Sequence, residues 1–178
     1  GVVYRARQRS ANRIVALKVI RGGRFIDDNT IKMFRREAQT LARLKHPGIA
    51  AIYESGRTDD GQHFFAMEMV RGETLSVWLK KRAVDDLTTT EVRLRLALFR
   101  KICEAVAYAH QRGVIHRDLK PGNILVSHDP AGVTDTSWPD LPAIKILDFG
   151  LARITDADVA VTTVITKIGK PQGTLAYM

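Results

Sequence analysis

Two short segments of the sequence carry side chains that suit phosphate and metal chemistry. The first, residues 116–123, places Asp118, Lys120 and Asn123 within six positions, on a stretch that proline and glycine keep out of a helix. The second begins at Asp148, which follows an apolar run and stands two residues before a glycine. Carboxylate and amide oxygens that converge from separate loops suit Mg²⁺, which takes few protein ligands and completes its shell with phosphate and water. The two segments together predict a metal–phosphate site.

The elements that would position these segments change character along the chain. The first part alternates apolar and polar residues and is rich in β-branched side chains, so we predict strands at 2–7, 13–20, 49–54 and 63–70. Between the second and third of these strands, apolar residues from Ile31 to Leu44 keep helical spacing. The sequence therefore predicts a small sheet with one helix.

From Thr74 onward the pattern becomes helical. We predict helices at 75–82 and 90–111, the second ended by Gly113, and then a hairpin formed by the runs 124–126 and 144–147. The connection 127–143 is long and rich in turn residues, which predicts a surface insertion. Cys103 lies among apolar helix positions, so we expect a buried, inert thiol.

Composition excludes several classes of protein. With 178 residues and 45% hydrophobic residues, the chain is typical of one globular domain or two lobes, not of a disordered or fibrous protein. A single Cys cannot close an internal disulfide, which favours a reducing compartment and a cytoplasmic location. No apolar run reaches the ~18 residues of a membrane span. The net charge of +9 comes from scattered residues, which indicates a solvated basic face and no nucleic-acid partner. Both ends are abrupt, and we expect them to be fragment boundaries.

The ordered motifs resemble the eukaryotic-type protein kinase family over essentially the whole chain. Residues 15–18 (Val-Ala-Leu-Lys), 116–123 and 148–150 match its strand, catalytic-loop and metal-binding motifs. The resemblance implies an α+β, two-lobed protein-kinase-like fold that is incomplete at both ends. Residues 1–70 would form a small β-rich N-lobe with one long helix, and residues 71–178 the first part of a mostly helical C-lobe.

The resemblance also implies catalytic roles for five residues. Asp118 would orient the attacking hydroxyl, and Lys120 would neutralise the transferred phosphoryl group. Lys18 would contact the α- and β-phosphates, held in place by an ion pair with Glu37. Thr174 would bond to Asp118 and Lys120, as in Ser/Thr kinases.

The implied cofactors are ATP and Mg²⁺, with Mn²⁺ as the alternative metal. Asn123 and Asp148 would bind the metal. Seven residues would line the nucleotide site: Gly1, Val3, Ala16, Lys18, Glu68, Val70 and Leu125. The backbone of Glu68 and Val70 would hydrogen-bond the adenine edge, and Val3, Ala16 and Leu125 would enclose the ring.

Further family features imply structural roles for apolar and aromatic residues. His116 and Phe149 would stack in a hydrophobic spine, with Leu41 and Ile52 above them. Met67 would be the gatekeeper beside the hinge between the lobes. In this interpretation His116 is structural and is not a catalytic base.

Short segments of the sequence are most similar to those of bacterial Ser/Thr kinases, which implies protein substrates with Ser or Thr acceptors and a signalling role. Autophosphorylation in trans at Thr162, Thr163 or Thr166 would let Arg117 order the activation loop. Two alternatives stay open: a small-molecule phosphotransferase and a nucleotide-binding pseudokinase or scaffold. The net charge would also suit a nucleic-acid-binding module, but no recognisable RNA- or DNA-binding motif supports that class. ATP affinity with and without Mg²⁺, and the identity of the phosphate acceptor, distinguish them.

Overall fold

The first half of the chain forms a four-stranded antiparallel sheet in the order β1–β2–β4–β3. A computed structural model describes residues 2–20, 38–83, 88–127 and 142–149. The strands are β1 (Val2–Gln8), β2 (Arg13–Ile20), β3 (Ile52–Arg57) and β4 (His63–Glu68). Strands β2 and β4, which are rich in β-branched or aromatic residues, occupy the centre of the sheet.

Two tight turns fix the register of this sheet. Asn12, between β1 and β2, has φ 48°, and Gly61, between β3 and β4, has φ 89°. Asn and Gly adopt this left-handed region at the least steric cost. Both turns lie where the sequence predicted them.

Three predicted strand boundaries are wrong by two or three residues. Strand β3 spans Ile52–Arg57 where 49–54 was predicted, and β4 ends at Glu68 before the predicted end at Val70. The reason lies in residues 48–50, whose backbone bonds to a strand of the second half: Ala50 N–H donates to the carbonyl of Ile146 at 3.0 Å. Ile49 also forms a parallel bridge with Ile146. This connection ties the two halves together.

The second half contains two helices and a small sheet, as the pattern predicted. Strand β5 (Glu73–Thr74) leads into α1 (Leu75–Lys81), and α2 (Thr89–His110) follows. Strands β6 (Ile124–Ser127) and β7 (Ala143–Ile146) form the predicted hairpin and complete the order β5–β6–β7. The interior of the predicted insertion lies outside the described residues.

Side-chain caps and a glycine define the ends of the long helix. The Thr88 hydroxyl accepts a hydrogen bond from the Glu91 N–H at 3.2 Å, which satisfies one of the free donors at the start of α2. At the other end Gly113 has φ 73°, and the Val114 N–H donates to the Ala109 carbonyl at 3.0 Å. Gly113 therefore ends the helix as predicted.

One continuous core joins the sheet to the helices. Ala38 and Leu41, in the helical residues 38–42, are buried together with Phe65 of β4 and Ile146 of β7. Helix α2 turns one face to this core, with four buried residues: Leu98, Ile102, Ala105 and Ala109. Helix α2 thereby packs against β7, the strand that leads to Asp148.

The prediction of a buried thiol is wrong. Cys103 is exposed and lies at helical spacing from Leu96 and Phe99, whose exposed fractions are 61% and 63%. Apolar residues occupy both faces of α2, so hydrophobic periodicity alone could not assign Cys103 to the inward one. Within the described ranges, no helix combines the length and apolar character needed to cross a membrane.

Candidate active site

A buried histidine connects the two loops that carry the predicted acidic residues. His116 is 2% exposed, and its Nε2 lies 2.8 Å from the carbonyl oxygen of Leu147. Because a carbonyl only accepts, Nε2 carries the proton. The unprotonated Nδ1 then accepts the N–H of Asp118 at 3.3 Å. The ring therefore joins the backbone of Asp118 to the residue that precedes Asp148.

The environment of His116 keeps this ring neutral. Burial lowers its pKa from the usual 6.5, and the hydrogen bond to Leu147 and the nearby charges of Asp148 and Asp118 oppose that effect only in part. A second proton on Nδ1 would also face the N–H of Asp118. His116 thus has the character of a structural group, as the sequence predicted.

The catalytic segment brings Asp118, Lys120 and Asn123 together. The Lys120 ammonium lies 2.9 Å from Asp118 Oδ2. Asn123 donates from Nδ2 to the backbone oxygen of Asp118 at 2.7 Å and to its Oδ2 at 3.1 Å. Both bonds use Nδ2, so the side-chain oxygen of Asn123 is the atom that can coordinate a cation. Asn123 ends the short 3₁₀ turn Pro121–Asn123, and its carbonyl accepts the Leu147 N–H at 2.8 Å.

Lys18 reaches from the upper sheet to Asp148. The ammonium of Lys18, on β2, lies 2.6 Å from Asp148 Oδ2, and the two side chains are 16% and 30% exposed. The predicted partner of Lys18 is Glu37, which lies outside the described residues, so that ion pair stays a prediction. The described contact brings together the cation and the carboxylate that the sequence assigned to phosphate and metal.

Two residues of the site have an unfavourable backbone. Asp148 has φ 60° and Arg117 has φ 68°, and neither is glycine. Residues in this region cost of order 1–3 kcal/mol and are concentrated at active sites and switch regions. Each lies directly beside a contact described above, the first in the pair with Lys18 and the second between His116 and Asp118.

The predicted aromatic stacking is present. The rings of His116 and Phe149 have centroids 4.6 Å apart at an interplanar angle of 58°. Phe149 also lines a small cavity together with Leu41, Ile52 and Met67. These residues form a continuous apolar wall behind the site, which links the sheet to the loop that carries Asp148.

The described residues that are predicted to hold the nucleotide lie on β1, β2, β4 and β6 and just after β4. Val3 is opposite Lys18 in the β1–β2 register, and Ala16 is opposite Met67 in the β2–β4 register. Leu125 is half-buried on β6, and Val70 is half-buried two residues after Glu68, which ends β4. Their role in binding stays a prediction. Six residues with a predicted role lie outside the described ranges: Gly1, Glu37, Thr162, Thr163, Thr166 and Thr174.

Sequence reasoning missed one contact between the hinge and the lower sheet. It assigned only the backbone of Glu68, but the carboxylate of Glu68 bonds the ammonium of Lys145, 77 positions later, at 2.8 Å. The one available signal was a Lys in the middle of an apolar strand, three residues before Asp148. Such a Lys can equally face solvent, so its partner could not be inferred.

The geometry described above agrees with a comparison of the chain with known protein families. The sequence matches the protein kinase domain over residues 1–178. The chain belongs to the protein kinase family.

Several curated relatives are bacterial Ser/Thr protein kinases. The serine/threonine-protein kinase pkn3 of Myxococcus xanthus is 38% identical over 178 residues, which are 100% of this chain and 30% of that protein. PknA of Mycobacterium tuberculosis is 34% identical over 182 residues, 100% of this chain and 37% of PknA. PrkC of Bacillus subtilis is 35% identical over 176 residues, 99% of this chain and 24% of PrkC. This kinase chain thus spans between about a quarter and just over a third of the length of these relatives.

Solved kinase structures share the fold. A crystal structure of the Mycobacterium tuberculosis PknI kinase domain is 33% identical, with a TM-score of 0.64. It covers 84% of this chain, and this chain covers 54% of it. The predicted α+β kinase fold is thereby confirmed.

Proposed function

We propose that this chain is the nucleotide-binding and catalytic part of a Ser/Thr protein kinase that transfers the γ-phosphoryl group of ATP to protein hydroxyls. The observation that carries the proposal is the 2.6 Å contact between Lys18 of the upper sheet and Asp148 of the lower loop. Phosphoryl transfer depends on positioning and charge stabilisation, so a cation and metal ligands must converge from separate elements. The relatives named above support the Ser/Thr class.

The donor atoms suit the metal that this proposal requires. Asp148 supplies carboxylate oxygens and Asn123 supplies an amide oxygen, and both are hard ligands of the kind that Mg²⁺ prefers. Asn123 is oriented by its two bonds to Asp118. When held by these two residues, Mg²⁺ would supply positive charge that neutralises the negative charge developing during transfer.

Each charged residue of the catalytic segment has a chemical task in this proposal. Asp118 would accept or orient the proton of the acceptor hydroxyl. Lys120, 2.9 Å from that carboxylate, would supply positive charge to the transferred group. Lys18 would hold the α- and β-phosphates, and the proposed pairing with Glu37 would keep its ammonium in place. Autophosphorylation in trans belongs to the same proposal.

The test uses the longest protein that the open reading frame containing this chain encodes. With [γ-³²P]ATP, Mg²⁺ and myelin basic protein as acceptor, the protein is expected to label Ser and Thr, as read by phosphoamino-acid analysis. Asp148→Asn is expected to lower the rate by at least ~10²-fold, since a lost electrostatic contact at a reacting centre costs about that much. Asp59→Asn is the matched control, because Asp59 lies in the exposed turn between β3 and β4.

Each departure from this result has a defined meaning. Wild-type turnover by Asp148→Asn would refute the metal assignment. Binding of ATP that does not depend on Mg²⁺, with no transfer, would indicate a pseudokinase. Transfer to small molecules without labelling of protein would indicate a small-molecule phosphotransferase. The melting temperature of each variant is measured in parallel, so that loss of activity is not confused with unfolding.

A further inference from the structure

The end of strand β4 and strand β7 are joined by an ion pair that the proposed chemistry does not use. Lys145 Nζ lies 2.8 Å from Glu68 Oε1 and 2.8 Å from Glu68 Oε2. The two side chains are 21% and 26% exposed, so most of each is shielded from water. An ammonium shared between both carboxylate oxygens is a better-defined geometry than that of a typical surface pair.

A third segment completes this junction. The Ala51 N–H donates to Glu68 Oε2 at 3.2 Å, and the Glu68 N–H donates to the Ala51 carbonyl at 2.8 Å. The adjoining residues bond to β7, since Ile146 N–H donates to the Gly48 carbonyl at 2.8 Å. Glu68, residues 48–51 and β7 are therefore linked pairwise into a closed triangle.

The position of this triangle connects two parts of the proposed ATP site. Glu68 is the residue whose backbone is predicted to bond the adenine edge, and it directs its side chain to Lys145. Lys145 lies on β7, three residues before Asp148. Asp148 lies just beyond the end of that strand and contacts Lys18. The ion pair therefore connects the residue that is predicted to bind adenine to the strand that leads to the predicted metal ligand Asp148.

We propose that Glu68 and Lys145 are positioning residues that set the separation between the hinge and the strand that leads to Asp148. This inference rests on the proposed kinase function. The pair holds both ends of one elongated ligand site in register, so its loss affects ATP binding and transfer together. A misplacement of about 1 Å at a reacting centre can cost ~10²-fold in rate.

The experiment measures kcat and KM for ATP and for GTP in the longest encoded protein. Lys145→Met removes the charge but keeps an unbranched chain, and it is expected to lower kcat/KM for ATP about tenfold. The ATP-over-GTP preference is expected to fall at least about threefold, because hydrogen bonds of the hinge read the base. Lys145→Arg, which restores a cation, is expected to recover most of both quantities.

Two further variants separate positioning from general stability. Glu68→Gln is expected to reproduce the effect of Lys145→Met, and the double variant is expected to be no worse than either single one, since the residues act as a unit. Arg100→Met is the matched control: it breaks the pair with Glu104 on α2, in which the two side chains are 59% and 57% exposed. That control is expected to leave kcat, KM and base preference unchanged.

The outcomes distinguish this inference from the proposed function. Phosphate transfer by the wild type, with kcat/KM and base preference of Lys145→Met and Glu68→Gln within twofold of it, would overturn the positioning role alone. An increase in kcat/KM would overturn it as well, because the pair would then restrain the enzyme. A lower melting temperature without a change in base preference would show a purely structural pair. Absence of transfer by the wild type would overturn both proposals.

Discussion

The buried imidazole of His116 makes the stability of this fold depend on pH in a defined direction. Burial lowers its pKa below 6.5 in the folded chain, whereas the unfolded chain keeps the ordinary value. Below pH 6.5 the unfolded state therefore binds more protons, and stability falls as the pH decreases towards the folded pKa. The loss reaches at most about 1.4 kcal/mol per pH unit for this one group.

His116→Phe isolates this effect because it keeps a ring against Phe149 and cannot titrate. The variant leaves the Leu147 carbonyl and the Asp118 N–H without their partner, and both residues are half-buried. We expect a cost of about 1 kcal/mol for each group at pH 7.5, at the low end for buried polar groups. Between pH 7.5 and 5.5 the difference from wild type is expected to shrink, by at most about 1.4 kcal/mol, since only the wild type loses the histidine contribution.

Urea unfolding followed by tryptophan fluorescence measures both numbers, because Trp78 is 3% exposed and becomes solvated on unfolding. Burial also lowers the pKa of His46, but that residue is common to both proteins and its contribution cancels in the difference. Parallel curves of unfolding free energy against pH would refute the reasoning. They would mean that His116 titrates alike in both states, contrary to its burial and its two bonds.

Two further predictions concern packing and charge away from the site. Gly72→Ala is expected to lose about 1–3 kcal/mol of stability, because a Cβ there would lie 2.4 Å from the Val126 carbonyl oxygen. Gly122→Ala, where no atom lies within 4 Å, is the control in the same thermal-unfolding assay, and equal losses would contradict the steric reason. Glu91→Gln is expected to cost about 1 kcal/mol at pH 7, because Arg82 and Arg95 both donate to the Glu91 carboxylate. Hydrogen bonds from Arg82 are the main reason that the pKa of Glu91 is lowered from 4.5. The wild type should therefore lose this stability as the pH falls from 4.5 through the folded pKa, and an equally steep acid limb in the variant would argue against the pair.

Local patterns were sufficient to predict most of the elements. Strand β2 and helix α2 lie within a residue of their predicted bounds, since each has a strong period and a clear start or stop signal. The start of β3 was wrong because Ile49 bonds to β7, almost a hundred positions later. Periodicity carries no information about such pairing.

The contacts of the candidate site also divide into local ones, which the sequence could predict, and long-range ones, which periodicity could not predict. The contacts among Asp118, Lys120 and Asn123 are local, so their spacing in the sequence was enough to expect them together. That Lys18 and Asp148 belong to one site followed only from resemblance to a family, because 130 positions separate them, and their direct contact was not predicted. Neither local spacing nor the family resemblance indicated the Lys145–Glu68 pair.

The left-handed backbone at Asp148 places the stability of the folded chain in conflict with the need for a carboxylate at this position. Glycine would adopt φ 60° there without strain, and relief of that kind is a recognised route to a more stable protein. An engineer who ranked substitutions at this position by thermal tolerance alone would therefore favour the residue that deletes the carboxylate. Selection for heat resistance without an assay of turnover would therefore favour loss of the Asp148 carboxylate, and it would yield a more stable protein without catalytic activity.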